Sequence, residues 1–374
     1  MRVIFFSIAL CFISALRAQN IPKTGTDTTV DVACWNTEWL GDAQNGPSNE
    51  VTQMKNVVAV IKGMDMDLWG MCEVSSPAAW DTLRARLPEY DGVISTWSQT
   101  QKTALLYRKN MFRVLNAQHI LAVYEREFAS GRLPLEVMLE VSSGIKKDTM
   151  YAIVLHLKAN TGTTAEKAES YDFRKRSSEA LKEYMDARKS RKFLVIGDWN
   201  DDLDVSIYNN LATPFARILS DTSQYFFPSR ALTLSGQRST VSFSNMIDHQ
   251  MINRSMRPYF VAGSAAVFRA DAYISGYGSN TSDHYPVTAR YDFRRTPPAM
   301  GLKMIRRPWY FDGKGWRFEG GVKPTLCRIY QTDGRLLYSG EPILPHVFPA
   351  GLYVLELQDT ENRAYRGFWL HGGL

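Results

Sequence analysis

Six short stretches carry side chains that could do chemistry together. They are Trp35-Asn36-Thr37-Glu38, Met71-Cys72-Glu73, Leu155-His156, Gly197-Asp198-Trp199-Asn200-Asp201, Ile247-Asp248-His249 and Ser282-Asp283-His284. Glu73, Asp198 and Asp283 are hard oxygen donors of the kind that hold Mg²⁺ or Mn²⁺, with Ca²⁺ as a further candidate. No His-Glu-x-x-His run or Cys/His cluster offers a zinc site instead. A divalent cation held by carboxylates polarises a phosphoryl group and stabilises the oxygen that leaves it. An aspartate–histidine pair, Asp248 with His284, would fix the imidazole tautomer so that the ring binds or protonates a phosphate oxygen. Asn36 and Asn200 can hydrogen-bond the attacking water or a phosphate oxygen without adding charge. The chemistry that suits this set is metal-assisted hydrolysis. Taken singly, each residue has a plainer reading: His156 as a core histidine, Asp248 as a turn acid, Asp198 and Asp283 as caps. Their repeated appearance at strand ends argues for one site.

The elements that would position them follow from hydrophobic patterning. Phe193-Leu194-Val195-Ile196 is an unbroken apolar run, the signature of a strand buried on both faces, and Gly197 ends it. Asp198 and Asn200 then fall at the rim where open α/β sheets bind ligands. Strands are expected at Val30–Asn36, Asp67–Glu73, Thr103–Tyr107, Phe112–Leu121, Leu135–Val141, Thr149–His156, Ser239–Ser244, Ile247–Ile252 and Pro286–Tyr291. Helical spacing covers Val51–Gly63, closing at a glycine, then Ala78–Leu87 and the long amphipathic stretch Ala165–Lys189. This mixture predicts two sheets packed face to face with helices outside.

A boundary falls at Arg294-Arg295-Thr296-Pro297-Pro298. Beyond it the helical pattern stops, and short β-type runs at Leu326–Tyr330, Arg335–Tyr338, Gly351–Leu357 and Tyr365–Leu370 predict a small all-β sandwich. At the other end, Arg2 precedes the apolar run Val3–Leu16 and Ala18 precedes Gln19, which reads as a signal peptide over residues 1–18. No other stretch is apolar enough for a membrane span. The expected organisation is therefore 1–18 signal, 19–296 catalytic region and 297–374 β-sandwich.

The composition, 45% hydrophobic and 22% charged, excludes a disordered or collagen-like chain. The net charge of +6 is not a property of the catalytic region. Arg2 and Arg17 leave with the signal, and residues 297–374 hold ten Lys/Arg against seven Asp/Glu. Residues 19–296 are left near +1, so charge alone gives little support to nucleic acid as substrate. Cys34, Cys72 and Cys327 remain after the signal, an odd number without CxxC spacing, which favours free buried thiols.

The same motifs, in the same order, give the chain a family likeness. Trp35-Asn36-Thr37-Glu38-Trp39-Leu40, Met71-Cys72-Glu73-Val74, His156-Leu157-Lys158, Gly197–Asp201, Ile247-Asp248-His249 and Ser282–Pro286 resemble the endonuclease/exonuclease/phosphatase superfamily over residues 30–293. The resemblance implies a four-layer α/β sandwich and divalent-metal phosphoester hydrolysis. It implies Glu73 as the principal metal ligand, with Asn36 and Asp283 beside it, and Asp198 activating water or holding a second metal. It implies Asn200 on the scissile phosphate, and His284 with Asp248, together with His156, serving the phosphorane and leaving group. Arg132, in Gly131-Arg132-Leu133-Pro134, is similar to the family's phosphate-contacting Arg-x-Pro element. One departure stands out. Gln101 occupies the place of a glutamate that supports the first histidine in deoxyribonuclease I-like members, which weakens His156 as a general acid.

The tail resembles the C-terminal sorting domain of type IX secretion cargo. The likeness lies in Cys327–Tyr338 and in Phe348-Pro349-Ala350-Gly351-Leu352-Tyr353-Val354-Leu355. It implies secretion machinery as a partner and export across the outer membrane; the enzyme is expected to be a monomer. Three functions are consistent with the residues: a secreted nuclease, a phosphatase or sphingomyelinase-like phosphodiesterase with the same catalytic kit, and a non-catalytic binder. Lys158, Arg174, Lys175 and Arg176 are the candidate nucleic-acid contacts. The modest preference is for nuclease, because no exposed apolar hairpin suggests a membrane-phospholipid enzyme.

Overall fold

The computed structural model describes residues 20–143 and 146–294, then 309–311, 316–318, 324–331, 336–342, 351–358 and 364–371. The segment read as a signal peptide lies outside the described residues. The chain divides into two compact units, Met1–Arg295 and Thr296–Leu374.

Among its described residues the first unit holds twelve strands. In chain order they are β1 Val30–Leu40, β2 Leu68–Val74, β3 Tyr90–Ile94, β4 Lys102–Arg108, β5 Phe112–His119, β6 Leu135–Ser143, β7 Lys146–His156, β8 Phe193–Asp198, β9 Tyr225–Phe226, β10 Asp248–Asn253, β11 Ala266–Val267 and β12 Val287–Tyr291. Its three longest helices are α1 Glu50–Met64, α2 Pro77–Ala85 and α3 Thr164–Asp186. One sheet has the order β11-β12-β1-β2-β4-β3 and the other β5-β6-β7-β8-β10-β9. Each sheet contains one parallel pair, β1 with β2 and β7 with β8, among antiparallel neighbours. The carboxyl-terminal halves of these pairs carry Asn36, Glu73, His156 and Asp198.

The unbroken apolar run of β8 has a simple cause. Leu194 and Ile196 join the core between the sheets, beside Val32, Leu68, Val137 and Val154. Phe193 and Val195 face the other way, into the cluster that includes Leu181 and Met185 of α3. A third cluster places Ala33, Trp35, Trp69 and Met71 against Val57 and Ile61 of α1 and Trp80 and Leu83 of α2. Helix, sheet, sheet and helix thus form four layers. Each fully buried Leu, Ile, Val or Phe contributes about 1.5–3 kcal/mol relative to exposure. At Gly70 the facing sheet leaves no room for a side chain: a β-carbon there would lie 2.5 Å from Ile196 Cδ1.

Some boundaries differ from the pattern reading. Helix α1 runs past Gly63 to Met64 and closes at Asp65, whose φ is 59°. Gly63 is small because Ile21 packs on it, with Cβ 2.5 Å from where its own would be. Helix α3 opens with a capping box of Thr163 and Glu166 and ends at Asp186, three residues short of Lys189. Ser239–Ser244 is not a strand. Thr240 makes one isolated bridge, to His284, and its hydroxyl closes a turn on Phe243. Phe243 is exposed there.

Gly197 has φ 140°, and a β-carbon on it would sit 2.0 Å from the Leu155 carbonyl oxygen. Backbone cannot yield as a side-chain tip can. Gly197→Ala is expected to destabilise the unit by about 3 kcal/mol or more. Denaturant unfolding of the two proteins checks this, and a loss below about 1 kcal/mol would contradict it.

Among its described residues the second unit is all-β. A hairpin pairs Trp309–Phe311 with Trp316–Phe318. A four-stranded antiparallel sheet has the order Leu336–Gly340, Leu326–Gln331, Gly351–Gln358, Ala364–His371. Trp316 of the hairpin shares a core with Cys327, Ile329, Tyr353, Leu355 and Leu357 of the sheet. Cys34 and Cys72 are free and buried, and Cys327 is buried.

Candidate active site

The rim of the two sheets collects the polar residues. Asn36 and Glu73 lie towards the carboxyl ends of β1 and β2, and His156 and Asp198 close β7 and β8. Strands β10 and β12 run antiparallel to these, so their starts reach the same rim. Asp248 therefore opens its strand rather than closing one, and Asp283 and His284 precede β12. In register, His156 pairs with Asp198 and Asp198 with Asp248. Six strands from two sheets thus place their polar groups at one edge.

Asn36 braces the acids. Its Nδ2 donates to Glu73 Oε1 at 3.2 Å and to Asp198 Oδ2 at 3.1 Å, while its Oδ1 accepts from Glu38 N at 3.0 Å. Glu73 Oε2 also accepts from Trp39 N at 3.1 Å. His284 Nδ1 is 2.8 Å from Asp248 Oδ2. The backbone N–H of Asn200 donates to Asp198 Oδ1 at 2.9 Å, and its amide donates to Leu157 O at 3.0 Å. His156 Nε2 lies 3.5 Å from Asp198 Oδ2 and 3.7 Å from Glu73 Oε1. Arg132 is buried behind it, with Nη1 2.7 Å from His156 Nε2 and Nη2 donating to Leu157 O at 3.0 Å. Asp283 is half-exposed, its Oδ1 3.8 Å from His284 Nε2.

The backbone here is strained. Glu38, Trp39, Glu73 and Asn200 all have φ between 48° and 60°, as do Ala129 and Ser130 just before Gly131-Arg132. Non-glycine residues in this region cost about 1–3 kcal/mol each and persist where the surroundings fix them. The strain sits on the motifs that place the acids and Arg132.

Burial and mutual repulsion raise the acids of this cleft. Burial, then the Asp248 carboxylate, pushes Asp198 up to about 7. Burial, then Asp283 and Glu73, pushes Glu38 up to about 7. Burial also raises Glu73, against the pull of the Asn36 amide. Burial holds His156 well below the ordinary histidine range, helped by Arg132. For His284, burial works downward, but Asp248 and Asp283 outweigh it and hold the ring well above that range.

Two carboxylate oxygens, Glu38 Oε2 and Asp248 Oδ1, are buried without a hydrogen-bond partner. Among the described residues, ligand atoms of Asp198, Asp248 and His284 all lie within 4.8 Å of one another. Hard oxygen donors with unmatched lone pairs fit a divalent cation of the Mg²⁺ type. Glu38, Glu73 and Asp283 offer carboxylates to such an ion, and Asp198 and Asp248 offer more, whereas His284, held protonated against Asp248, has no lone pair to give it.

Sequence gives Glu38 no role beyond its place beside Asn36, and Gln101 only the place of a glutamate near the first histidine. Glu38 turns back to the cleft only because residues 38 and 39 adopt positive φ, which no pattern announces. Gln101 bridges Glu73 and Arg132 by hydrogen bonds. Arg174 is a correction. It is fully buried, paired with Asp201 at 3.0 Å and bonded to Lys158 O, so it is not a nucleic-acid contact. Arg176 is engaged by Glu127 and lies over Phe173.

His249, one residue past Asp248, faces away from this cleft. Its Nε2 meets Asp201 O and its Nδ1 meets Ser229 Oγ, each at 3.1 Å. Burial lowers it to about 4. The folded state keeps this ring neutral while the unfolded chain protonates near pH 6.5. Its contribution is complete above that pH and is lost as pH falls towards 4, by about 3 kcal/mol. Unfolding of wild type and His249→Gln across pH 4–7 checks this. The variant is expected to be less stable at pH 7 but flatter in pH, and parallel slopes would contradict it.

A family model described as Endonuclease/Exonuclease/phosphatase family matches residues 33–284, and the chain belongs to that family. It is a hydrolase acting on phosphoester bonds, of a family whose enzymes depend on divalent metal. No curated protein matches the chain. Among solved structures, an endonuclease/exonuclease/phosphatase from Bacteroides vulgatus is 19% identical with TM-score 0.50, covering 70% of this chain and 98% of that one. D. rerio TDP2, complexed with single-strand DNA product, is 15% identical with TM-score 0.54, covering 71% and 99%. The 3′ phosphatase NExo from Neisseria, bound to a product DNA hairpin, is 14% identical with TM-score 0.50, covering 71% and 100%. At such identities the likeness speaks for the fold, and substrate must be argued from the site. Among the described residues no helix is long and apolar enough to cross a membrane.

Proposed function

We propose that the protein is an exported, monomeric, divalent-metal-dependent phosphodiesterase whose substrate is nucleic acid, cut as an endonuclease. The observation that carries the catalytic part is the convergence of six rim residues from two sheets around two unpartnered buried carboxylate oxygens. Glu73, with Glu38, Asp283 and Asn36, would hold the cation, and Asp198 would face it from the opposite side. A bound divalent ion supplies polarisation of the phosphoryl group and neutralisation of the leaving oxygen. Asp198, fixed by Asn36 and by the Asn200 backbone, orients the attacking water and takes its proton. His284, kept cationic by Asp248, donates to the phosphate oxygen on which negative charge grows. His156 acts as a neutral ring, because a guanidinium only donates and the nitrogen facing Arg132 must carry a lone pair. Arg132 and Asn200 complete the phosphate contacts.

Nucleic acid as the substrate is supported by the likeness to two DNA-bound enzymes of the same fold. The near-neutral charge of residues 19–296 favours a second reading, a phosphatase or a sphingomyelinase-like phosphodiesterase. Export rests on the signal-like residues 1–18 and on the β-type tail, whose two characteristic stretches overlap the adjacent strands Leu326–Gln331 and Gly351–Gln358. The test is a substrate panel of plasmid, single-stranded DNA, RNA, sphingomyelin and bis-p-nitrophenyl phosphate, with Mg²⁺ and with EDTA. Nicking of DNA or RNA that EDTA abolishes is expected. Hydrolysis of the small ester or the lipid without nicking would overturn the nucleic-acid reading.

A further inference from the structure

We propose that Gln101 is a positioning residue that keeps two opposite charges apart, so that Glu73 stays open to a cation and Arg132 to a phosphate. This rests on the cation-and-phosphate reading above and adds a device to it.

Glu73 and Arg132 lie in one desolvated cleft, the Glu73 side chain 12% exposed and Arg132 6%. A carboxylate and a guanidinium taken out of water together gain most by pairing directly, with two parallel hydrogen bonds. That pair would occupy the oxygens needed for the ion and the N–H groups needed for the phosphate. Among the described residues no ion pair joins them. Gln101 stands between instead, its Nε2 donating to Glu73 Oε1 at 3.0 Å and its Oε1 accepting from Arg132 Nη1 at 3.1 Å. The orientation of the amide is chemically forced. The carboxylate can only accept and the guanidinium can only donate, so an amide satisfies both in one way alone.

The surroundings hold Gln101 in that place. Gln99 grips its backbone from both sides, its Oε1 accepting from Gln101 N at 2.9 Å and its Nε2 donating to Gln101 O. Lys102 Nζ donates to Trp97 O at 2.8 Å and closes the same loop. Arg132 is held from behind by Leu157 O and delivered by the left-handed turn Ala129-Ser130-Gly131. Glu73 is held by Asn36 and Trp39 N. Of the hydrogen bonds made by Glu73 and Arg132, those of Gln101 alone among the described residues span both, so it is the side chain that fills the gap between the two charges. A glutamate at 101 would take Arg132 for itself and repel Glu73. A methionine would fill the volume and let Glu73 and Arg132 meet.

The test measures Mn²⁺ and inorganic phosphate binding by calorimetry, together with Tm, on the full chain and on Gln101→Met and Gln101→Glu. Gln101→Met is expected to weaken both ligands by about tenfold or more, with Tm unchanged or raised by the new ion pair. Gln101→Glu is expected to weaken phosphate by about tenfold and leave Mn²⁺ no weaker. Constants within about threefold of wild type in either folded variant would overturn the proposal, except for Mn²⁺ in Gln101→Glu. A lowered Tm with both constants unchanged would overturn it too, because that is a structural role. Should Gln101→Met fail to fold, the near-isosteric Gln101→Glu decides through phosphate. If wild type binds neither ligand, the site reading itself fails; if wild type binds both and the variants match it, only the role of Gln101 fails.

Discussion

Glu73→Ala is expected to lower metal-dependent phosphodiester turnover by about a thousandfold or more. Glu73 reaches the cleft from the strained end of β2, where its φ is 60° and the register with β4 breaks between Met71 and Val74. Its two oxygens are held by Asn36, Gln101 and Trp39 N, so the carboxylate is aimed before any ion arrives. Lewis-acid stabilisation of phosphoryl transfer amounts to several kcal/mol, and each 1.4 kcal/mol is about tenfold in rate. Removing the principal anionic donor should cost roughly three such steps. The variant should fold, because the change relieves the desolvation that raises the Glu73 carboxyl, Asn36 keeps Asp198 as an acceptor, and Arg132 keeps Gln101 and Leu157 O. Turnover against Mg²⁺ concentration checks this. A variant that keeps a tenth of wild-type activity at the same Mg²⁺ would contradict the assignment.

Asp248→Asn is expected to cost about 10²–10⁴ in turnover and to move the alkaline limb of the pH profile downward. Burial alone would depress His284, and the Asp248 and Asp283 carboxylates overcome it. His284 is therefore cationic in wild type well above pH 6.5, and its contribution is lost as pH rises through that elevated value. Without the Asp248 carboxylate, burial remains while its main opponent is gone. The ring then deprotonates at lower pH, and the working range narrows from the alkaline side. Because the interaction strengthens as charge develops on phosphate, kcat and kcat/KM should fall together. A fall in activity with an unmoved alkaline limb would show that Asp248 does not set the charge of His284.

Most of the architecture was legible because it rests on alternation that burial enforces. Phe193–Ile196 reads as a doubly buried strand because successive residues enter two different cores. The motif order brought Asn36, Glu73, His156, Asp198, Asp248 and His284 together because each sits close to a strand terminus. What escaped the sequence is what depends on backbone outside the common regions or on partners distant in the chain. Glu38 enters the cleft through two consecutive left-handed residues. Gln101 matters only because Glu73 and Arg132 flank it, 28 and 31 residues away. Arg174 looked like part of a basic surface because its helix carries neighbouring cations, yet it faces inward to Asp201. Val241 and Phe243 alternate like a strand, but the Thr240 hydroxyl folds them into a turn. The two-residue strands β9 and β11 are too short to leave a pattern.

The most direct measurement is anomalous diffraction from crystals of the protein soaked in Mn²⁺ and phosphate. A manganese peak bonded to the Glu73 carboxylate, with phosphate reaching both the ion and His284, is the expected result. A peak elsewhere on the molecule, or phosphate bound with no ion beside Glu73, would contradict the claim that these strand ends form one metal-dependent phosphoester site.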